Sequence, residues 1–190
     1  MKRFLSVLAF LSVVIYFNLP AQQQPLRHPK KRVPLSIVTK TDKLEALALN
    51  MDSSMSKYHK LSKKIRKEYF EQDYELYLSG QEPKIIYKRE YGGGECIHNW
   101  TVYYQNYKPF LVDYIANCTF NDSLKTMKVK YYLDNDRLIL YNNESDSDLG
   151  SDLLGYFLPA DEDFEEEQKL VTELLNEPDI LSISSIAVSL

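Results

Sequence analysis

The stretch from Cys96 to Tyr141 constrains this chain most, because turn chemistry and apolar spacing together fix one antiparallel register there. Asn121-Asp122 reads as a two-residue hairpin turn, since both residues tolerate the left-handed backbone that a tight hairpin needs. Pairing outward from it sets Ala116 opposite Met127, Tyr114 opposite Val129, Val112 opposite Tyr131 and Phe110 opposite Leu133. A second turn at Asn135-Asp136 sets Leu133 opposite Leu138 and Tyr131 opposite Leu140. A three-residue loop at Asn106, Tyr107 and Lys108 sets Tyr104 opposite Phe110, Val102 opposite Val112, Trp100 opposite Tyr114 and Cys96 opposite Cys118. All of these pairs are apolar, and a slip of one residue would turn every one of them to the opposite face.

The same register brings the only two cysteines together. Directly opposed residues have alpha carbons roughly 4.5 to 5.5 Å apart, within disulfide reach. A Cys96–Cys118 bridge is therefore expected, and it implies an oxidising compartment.

The N-terminus points the same way. Lys2 and Arg3, an apolar run from Phe4 to Phe17, and Asn18-Leu19-Pro20-Ala21 have the layout of a secretory signal cleaved after Ala21. The run is shorter than the roughly 20 residues of a membrane-spanning helix, so an exported chain with no stable membrane insertion after cleavage is expected. Residues 22–40 are basic and Pro-rich and read as a disordered leader. Residues 41–190 then form a single domain, large enough for a real core.

From Thr41, the residues Leu44, Leu47, Met51, Met55, Tyr58, Leu61, Ile65 and Tyr69 step by three or four and predict a long amphipathic helix, capped by Thr41 or Asp42. Asp52-Ser53-Ser54 is a candidate break in it, and Ser79-Gly80-Gln81-Glu82-Pro83 ends the helical region. Lys57, Lys60, Lys63, Lys64, Arg66 and Lys67 read as a solvated helix face rather than a nucleic-acid patch, because an exported chain rarely meets nucleic acid. Ile85 to Tyr91 alternates as a strand, with Ile85, Tyr87 and Tyr91 on one side, and Gly92-Gly93-Gly94-Glu95 turns it into the strand at Cys96. No Lys-Ser/Thr follows those glycines, so they do not form a phosphate-binding loop.

Asp161 is placed to cap a second helix to about Asn176, with Phe164, Val171, Leu174 and Leu175 on its apolar face, and Ile180 to Leu190 reads as a closing strand. The fold class is α+β: a long helix packed on an antiparallel meander of about five strands, with a second helix and a closing strand. The order of helix then meander is similar to cystatin-like rolls and small exported inhibitor folds, in architecture alone and without an inhibitory motif. From Asp134 to Glu177 there are fourteen acidic and two basic residues, against twelve basic and four acidic from Arg27 to Glu68, which suggests attraction between the two helical regions within the chain or between copies.

No cofactor or metal is expected. Glu144, Asp146 and Asp148 fail the EF-hand spacing, since Leu149 stands where its Gly belongs and Gly155 where its Glu belongs. His98 lies on the predicted core face with no second ligand or nucleophile. Asn99, Asn117, Asn121 and Asn143 open Asn-x-Ser/Thr triplets, which matter only in a glycosylating host.

Functional expectation rests on the other face of the sheet. There Thr101, Asp113, Lys130 and Tyr141 form one row and Tyr103, Leu111, Tyr132 and Ile139 the next. An Asp beside a Lys, flanked by tyrosine hydroxyls, suits orientation of a ligand, and the rings suit stacking on a sugar or a partner side chain. Thr101, Tyr103, Asp113, Lys130, Tyr132 and Tyr141 are thus the candidate binding residues of a non-enzymatic interaction module for a protein or glycan. The alternative is a glycan-acting hydrolase, whose carboxylate pair would be Asp113 with Glu90 or Glu95.

Overall fold

The computed structural model describes residues 33–66, 69–92, 96–120, 123–144, 155–159, 161 and 164–177. The expected signal, most of the leader and the closing strand at 180–190 lie outside these residues. Helix α1 (Leu35–Ser53) is followed by β1 (His59–Arg66), β2 (Phe70–Ser79), β3 (Glu82–Gly92), β4 (Cys96–Gln105), β5 (Lys108–Phe120), β6 (Ser123–Asp134), β7 (Arg137–Asn143), the three-residue β8 (Gly155–Phe157) and helix α2 (Phe164–Leu175). The eight strands form one antiparallel sheet in sequence order.

The expected helix through Tyr69 is corrected at its second half. A 3-10 turn at Met55–Lys57 closes the helical segment just after Asp52-Ser53-Ser54, and the next two segments are strands. The ambiguity is arithmetic: Leu61 and Ile65 are four residues apart, which fits one face of a helix and, as twice two, one face of a strand. In β2 the alternating Tyr74, Leu76 and Leu78 decide the matter, because they bury together and pair with β1. The lysines of β1 therefore lie on a strand, where Lys60 pairs with Glu75, and Lys64 and Arg66 pair with Glu71. The start of α1 is also earlier than expected, so residues 35–40 of the predicted leader are helical; Pro34 sits at its N-terminal boundary, and Thr41 is buried in mid-helix, donating its hydroxyl to the Val38 carbonyl.

The central register agrees with the expectation from turn chemistry over most of its length. Cys96 opposes Cys118, Trp100 opposes Tyr114, Val102 opposes Val112, Val112 opposes Tyr131, Tyr114 opposes Val129 and Ala116 opposes Met127. The Cys96–Cys118 disulfide is formed. The loop after β4 is tighter than expected: Asn106 and Tyr107, both at positive φ, make a two-residue turn with Gln105 opposite Lys108. A bulge then places Tyr104 opposite Pro109, so Phe110 is not its partner, and the inward pairs beyond it keep their parity. Asn135 and Asp136 form the second such turn. There the bulge beside Leu133 has no compensating loop residue, so Tyr132 opposes Leu140 and Tyr131 opposes Tyr141.

Both faces of the sheet carry a core. On one, Tyr74, Leu76, Ile86, Val102, Val112, Val129, Tyr131 and Leu138 bury with Phe164, Val171 and Leu174 of α2; on the other, Tyr77, Ile85, Tyr103, Leu111, Tyr132 and Leu140 bury with Ala48 and Met51 of α1. We call these the α2 face and the α1 face. Each large side chain removed from water contributes roughly 1.5–3 kcal/mol. The two helices are thus on opposite sides of the sheet, and the basic and acidic regions meet through single pairs such as Lys40–Asp134 rather than helix against helix.

Candidate functional site

The residues singled out on the outer face lie on the α1 face, and α1 covers part of them. Along α1, Asp42, Glu45, Leu49 and Asp52 recur at helical spacing and form one edge of the helix. That edge overhangs a cleft of about 410 Å³ whose other walls are Tyr103, Leu111, Asp113 and Lys130 of β4, β5 and β6. Asp113 stands opposite Thr101 on one side and Lys130 on the other, as the turn-based register requires. Tyr132 lies one step along β6 and reaches the helix.

Two sets of contacts tie helix to sheet. The Tyr132 hydroxyl donates to Glu45 Oε1 at 2.5 Å, and Lys130 Nζ approaches the same oxygen at 3.3 Å. The Tyr103 hydroxyl donates to Asp52 Oδ2 at 3.1 Å. Asp52 Oδ1 and Asp113 Oδ1 are buried with no hydrogen-bond partner among the described residues. A buried carboxylate oxygen without a donor is costly, which makes these two atoms the exceptional features of the cleft.

The electrostatics follow from that arrangement. Burial pushes the Asp113 carboxyl up to about 6; Lys130 opposes the rise, and Glu45 and Asp52 add to it. Burial likewise raises Asp52, partly offset by the Tyr103 hydrogen bond. For Glu45 burial is the largest single influence and acts upward, yet the Tyr132 hydrogen bond and Lys130 together hold it below the ordinary carboxylate range. Lys130 moves upward because Asp113 and Glu45 outweigh its desolvation, which on its own would lower it. Burial, then the neighbouring Asp52, pushes Tyr87 up to about 12. The cleft therefore carries carboxyls poised differently: Glu45 ionised and paired, Asp113 and Asp52 disfavoured as anions.

Four of the candidate residues, Tyr103, Asp113, Lys130 and Tyr132, gather at this cleft, and Thr101 flanks it in the row of Asp113. Tyr141 does not. The β6–β7 bulge moves the row on by one residue, so Asn142 pairs with Lys130 while Tyr141 points to the α2 face and stacks on Phe157. The hydrolase pair is corrected too: Glu90 shares the α2 face with Gln72, which donates to it, so the sheet separates it from Asp113; Glu95 lies outside the described residues. Asp42, Glu45 and Asp52 are the members that sequence reasoning missed. Their three-four-three spacing with Leu49 was visible, but nothing in the letters said which sheet face the helix crosses.

Elsewhere, the His98 imidazole shares a 2.7 Å hydrogen bond with the Tyr114 hydroxyl on the α2 face. Among the described residues no group of three or more His, Cys, Asp or Glu side chains is placed to hold a metal ion. Of the three acids weighed for calcium, only Glu144 is described, and it accepts from Asn142. No helix among the described residues is long and apolar enough to cross a membrane. Comparison with protein-family models, with curated proteins and with solved structures finds no match for this chain.

Proposed function

We propose that this protein is an exported, non-enzymatic binding module whose ligand enters the cleft between α1 and strands β4 to β6. The single observation behind this reading is the pair of buried carboxylate oxygens, Asp52 Oδ1 and Asp113 Oδ1, which belong to two residues of the cleft lining and have no donor among the described residues. A ligand rich in N–H or O–H groups would satisfy both once the carboxyl groups turn toward the cleft, and a desolvated acceptor rewards a matching donor strongly. Sugar hydroxyls meet that need, with Leu49, Leu111 and the Tyr103 ring offering apolar contact beside them; an ammonium group on a protein partner meets it as well. The disulfide supports an oxidising, exported setting. Calorimetric titration with envelope and host oligosaccharides, and with lysine-rich peptides, tests the reading. Binding that Asp113→Asn abolishes while Lys63→Gln on β1 leaves intact supports it; equal binding by Asp113→Asn overturns the cleft as the site.

A hydrolytic reading has one observation in its favour: Asp113 and Asp52 line one cleft and both are raised by burial. A carboxyl near 6 is suited to donate a proton to a leaving oxygen. Turnover of an oligosaccharide by the wild type and none by Asp113→Asn would promote this reading over binding alone.

A further inference from the structure

The cleft between α1 and the sheet is lopsided in charge. Asp42, Glu45, Asp52 and Asp113 line it against a single cation, Lys130. Lys130 is already engaged: its ammonium lies 3.3 Å from Glu45 Oε1, the oxygen that also accepts from Tyr132. That pairing leaves three carboxylates of the lining without a counter-charge of their own in it, and two of them, Asp52 and Asp113, keep a buried oxygen with no donor among the described residues. An ionised carboxylate only accepts hydrogen bonds. An anion is therefore repelled here, and a neutral sugar supplies donors but leaves the excess negative charge standing. A bare divalent ion does not fit, because among the described residues no three such side chains are placed to hold one. The rest of the wall offers apolar contact: Ala48 and Leu111 are buried, and Leu49, 68% exposed, lies toward solvent.

We propose that the cleft selects a primary ammonium on an unbranched aliphatic stem, the chemistry of a lysine side chain, over a sugar. The choice rests on the cleft being a binding site and adds which class of donor it takes. An ammonium carries three donors, enough for Asp52 and Asp113 once their carboxyl groups turn toward the cleft. The stem then lies along Leu49, Leu111 and the Tyr103 ring, as the methylenes of a lysine do on apolar surface. Charge complementarity decides between the classes, because a pair formed in a partly desolvated cleft is stronger than one on an open surface. Facing Asp113 are Tyr87 and Tyr103 from β3 and β4, Lys130 from β6, Glu45 and Asp52 from α1, and Glu144 beyond β7. The Asp113 carboxyl titrates near 6, so proton and ammonium compete for it and affinity falls as the solution is acidified.

The test is calorimetric titration of the full chain with Nα-acetyl-lysine methylamide, cadaverine, pentyltrimethylammonium and the oligosaccharides tried on the cleft. Both primary ammonium probes should bind; the tighter of the two assigns the source as a protein side chain or a free diamine. Pentyltrimethylammonium has the charge without N–H donors and should bind about tenfold more weakly or worse. Affinity for the lysine probe should fall about tenfold from pH 7.5 to pH 5, as protonation of a group with a midpoint near 6 requires. Asp113→Asn should weaken that probe, whereas Lys130→Gln, which removes the resident cation, should tighten it several-fold. Binding of an oligosaccharide that depends on Asp113, with neither ammonium probe bound, overturns the choice of a cation and leaves the cleft as a sugar site. Ammonium binding that Asp113→Asn leaves unchanged overturns the cleft and the cation together. Equal binding of the quaternary probe, an affinity independent of pH, or weaker binding in Lys130→Gln also overturns the proposal.

Discussion

The two faces of one sheet differ in how completely their buried polar groups are satisfied. On the α2 face Lys88 and Tyr131 are deeply buried, and each reaches a carboxylate at hydrogen-bond distance. On the α1 face Asp113 and Asp52 each keep a buried oxygen with no donor among the described residues. Burial is common to both, so burial alone does not separate them; satisfaction does. Satisfied polar groups under a helix hold the helix in place, whereas unsatisfied ones beside a cleft leave a cost that a bound ligand removes. The contrast predicts that neutralising the unsatisfied Asp113 carboxylate will change stability with the opposite sign to truncating a packed or hydrogen-bonded side chain on either face.

The largest effect belongs to the α2 face. Ile86→Ala, at a fully buried position, should cost roughly 2–5 kcal/mol in urea unfolding; a loss below that range would mean that this face is loosely packed and that the contrast is overstated. Next, replacing Cys96 and Cys118 together by Ser should cost about 3 kcal/mol, the chain-entropy value for a loop of this size. An unchanged unfolding midpoint would show that the strand pairing alone fixes that end of the sheet.

The third prediction reverses the sign. Because the Asp113 carboxyl is raised from 3.8 to about 6 in the folded protein, the folded state binds the proton more tightly than the unfolded chain. Stability attributable to this group is therefore complete below about pH 4, falls as pH rises toward 6, and stays reduced above it. Asp113→Asn removes that penalty, so it should stabilise the protein at pH 7.5 by up to roughly 3 kcal/mol, and by nothing at pH 3.5. Thermal unfolding at the two pH values checks it, and a variant less stable than wild type at pH 7.5 would mean that Asp113 has donors after all. The smallest effect is Tyr132→Phe, which takes one hydrogen bond from Glu45. It should cost about 0.5–1.5 kcal/mol and move the Glu45 carboxyl upward, which a carboxyl-carbon titration by NMR would read; no movement would remove Tyr132 from the cause of the depressed value.

How much of this was legible in the letters depended on which periodicity competed. In β4 to β6 the turn residues Asn106, Asn121-Asp122 and Asn135 pinned the register, and the cysteine pair and the row Thr101, Asp113 and Lys130 followed from it. The register misplaced Tyr141 because a bulge leaves no mark in apolar spacing when the residues on either side, Leu138 to Tyr141, are all apolar or aromatic. The strands β1 and β2 were hidden because spacing by four satisfies both periods, and because Lys57 to Lys67 looked like a solvated helix face until Glu71, Asp73 and Glu75 supplied cross-strand partners. Half of the cleft was invisible for a tertiary reason. No residue pattern marks α1 as lying over the face that carries Asp113, and only that placement brings Glu45 and Asp52 to Lys130 and Tyr103.

The most direct test of the account is the ionisation of Asp113 itself, followed by carboxyl-carbon NMR in the folded protein against the Asp113→Asn variant for assignment. A midpoint near 6 is the result expected of a desolvated carboxyl with an oxygen that has no donor among the described residues. A midpoint near the ordinary aspartate value of about 4 would contradict it, and with it the claim that the cleft holds an unmet demand for a ligand.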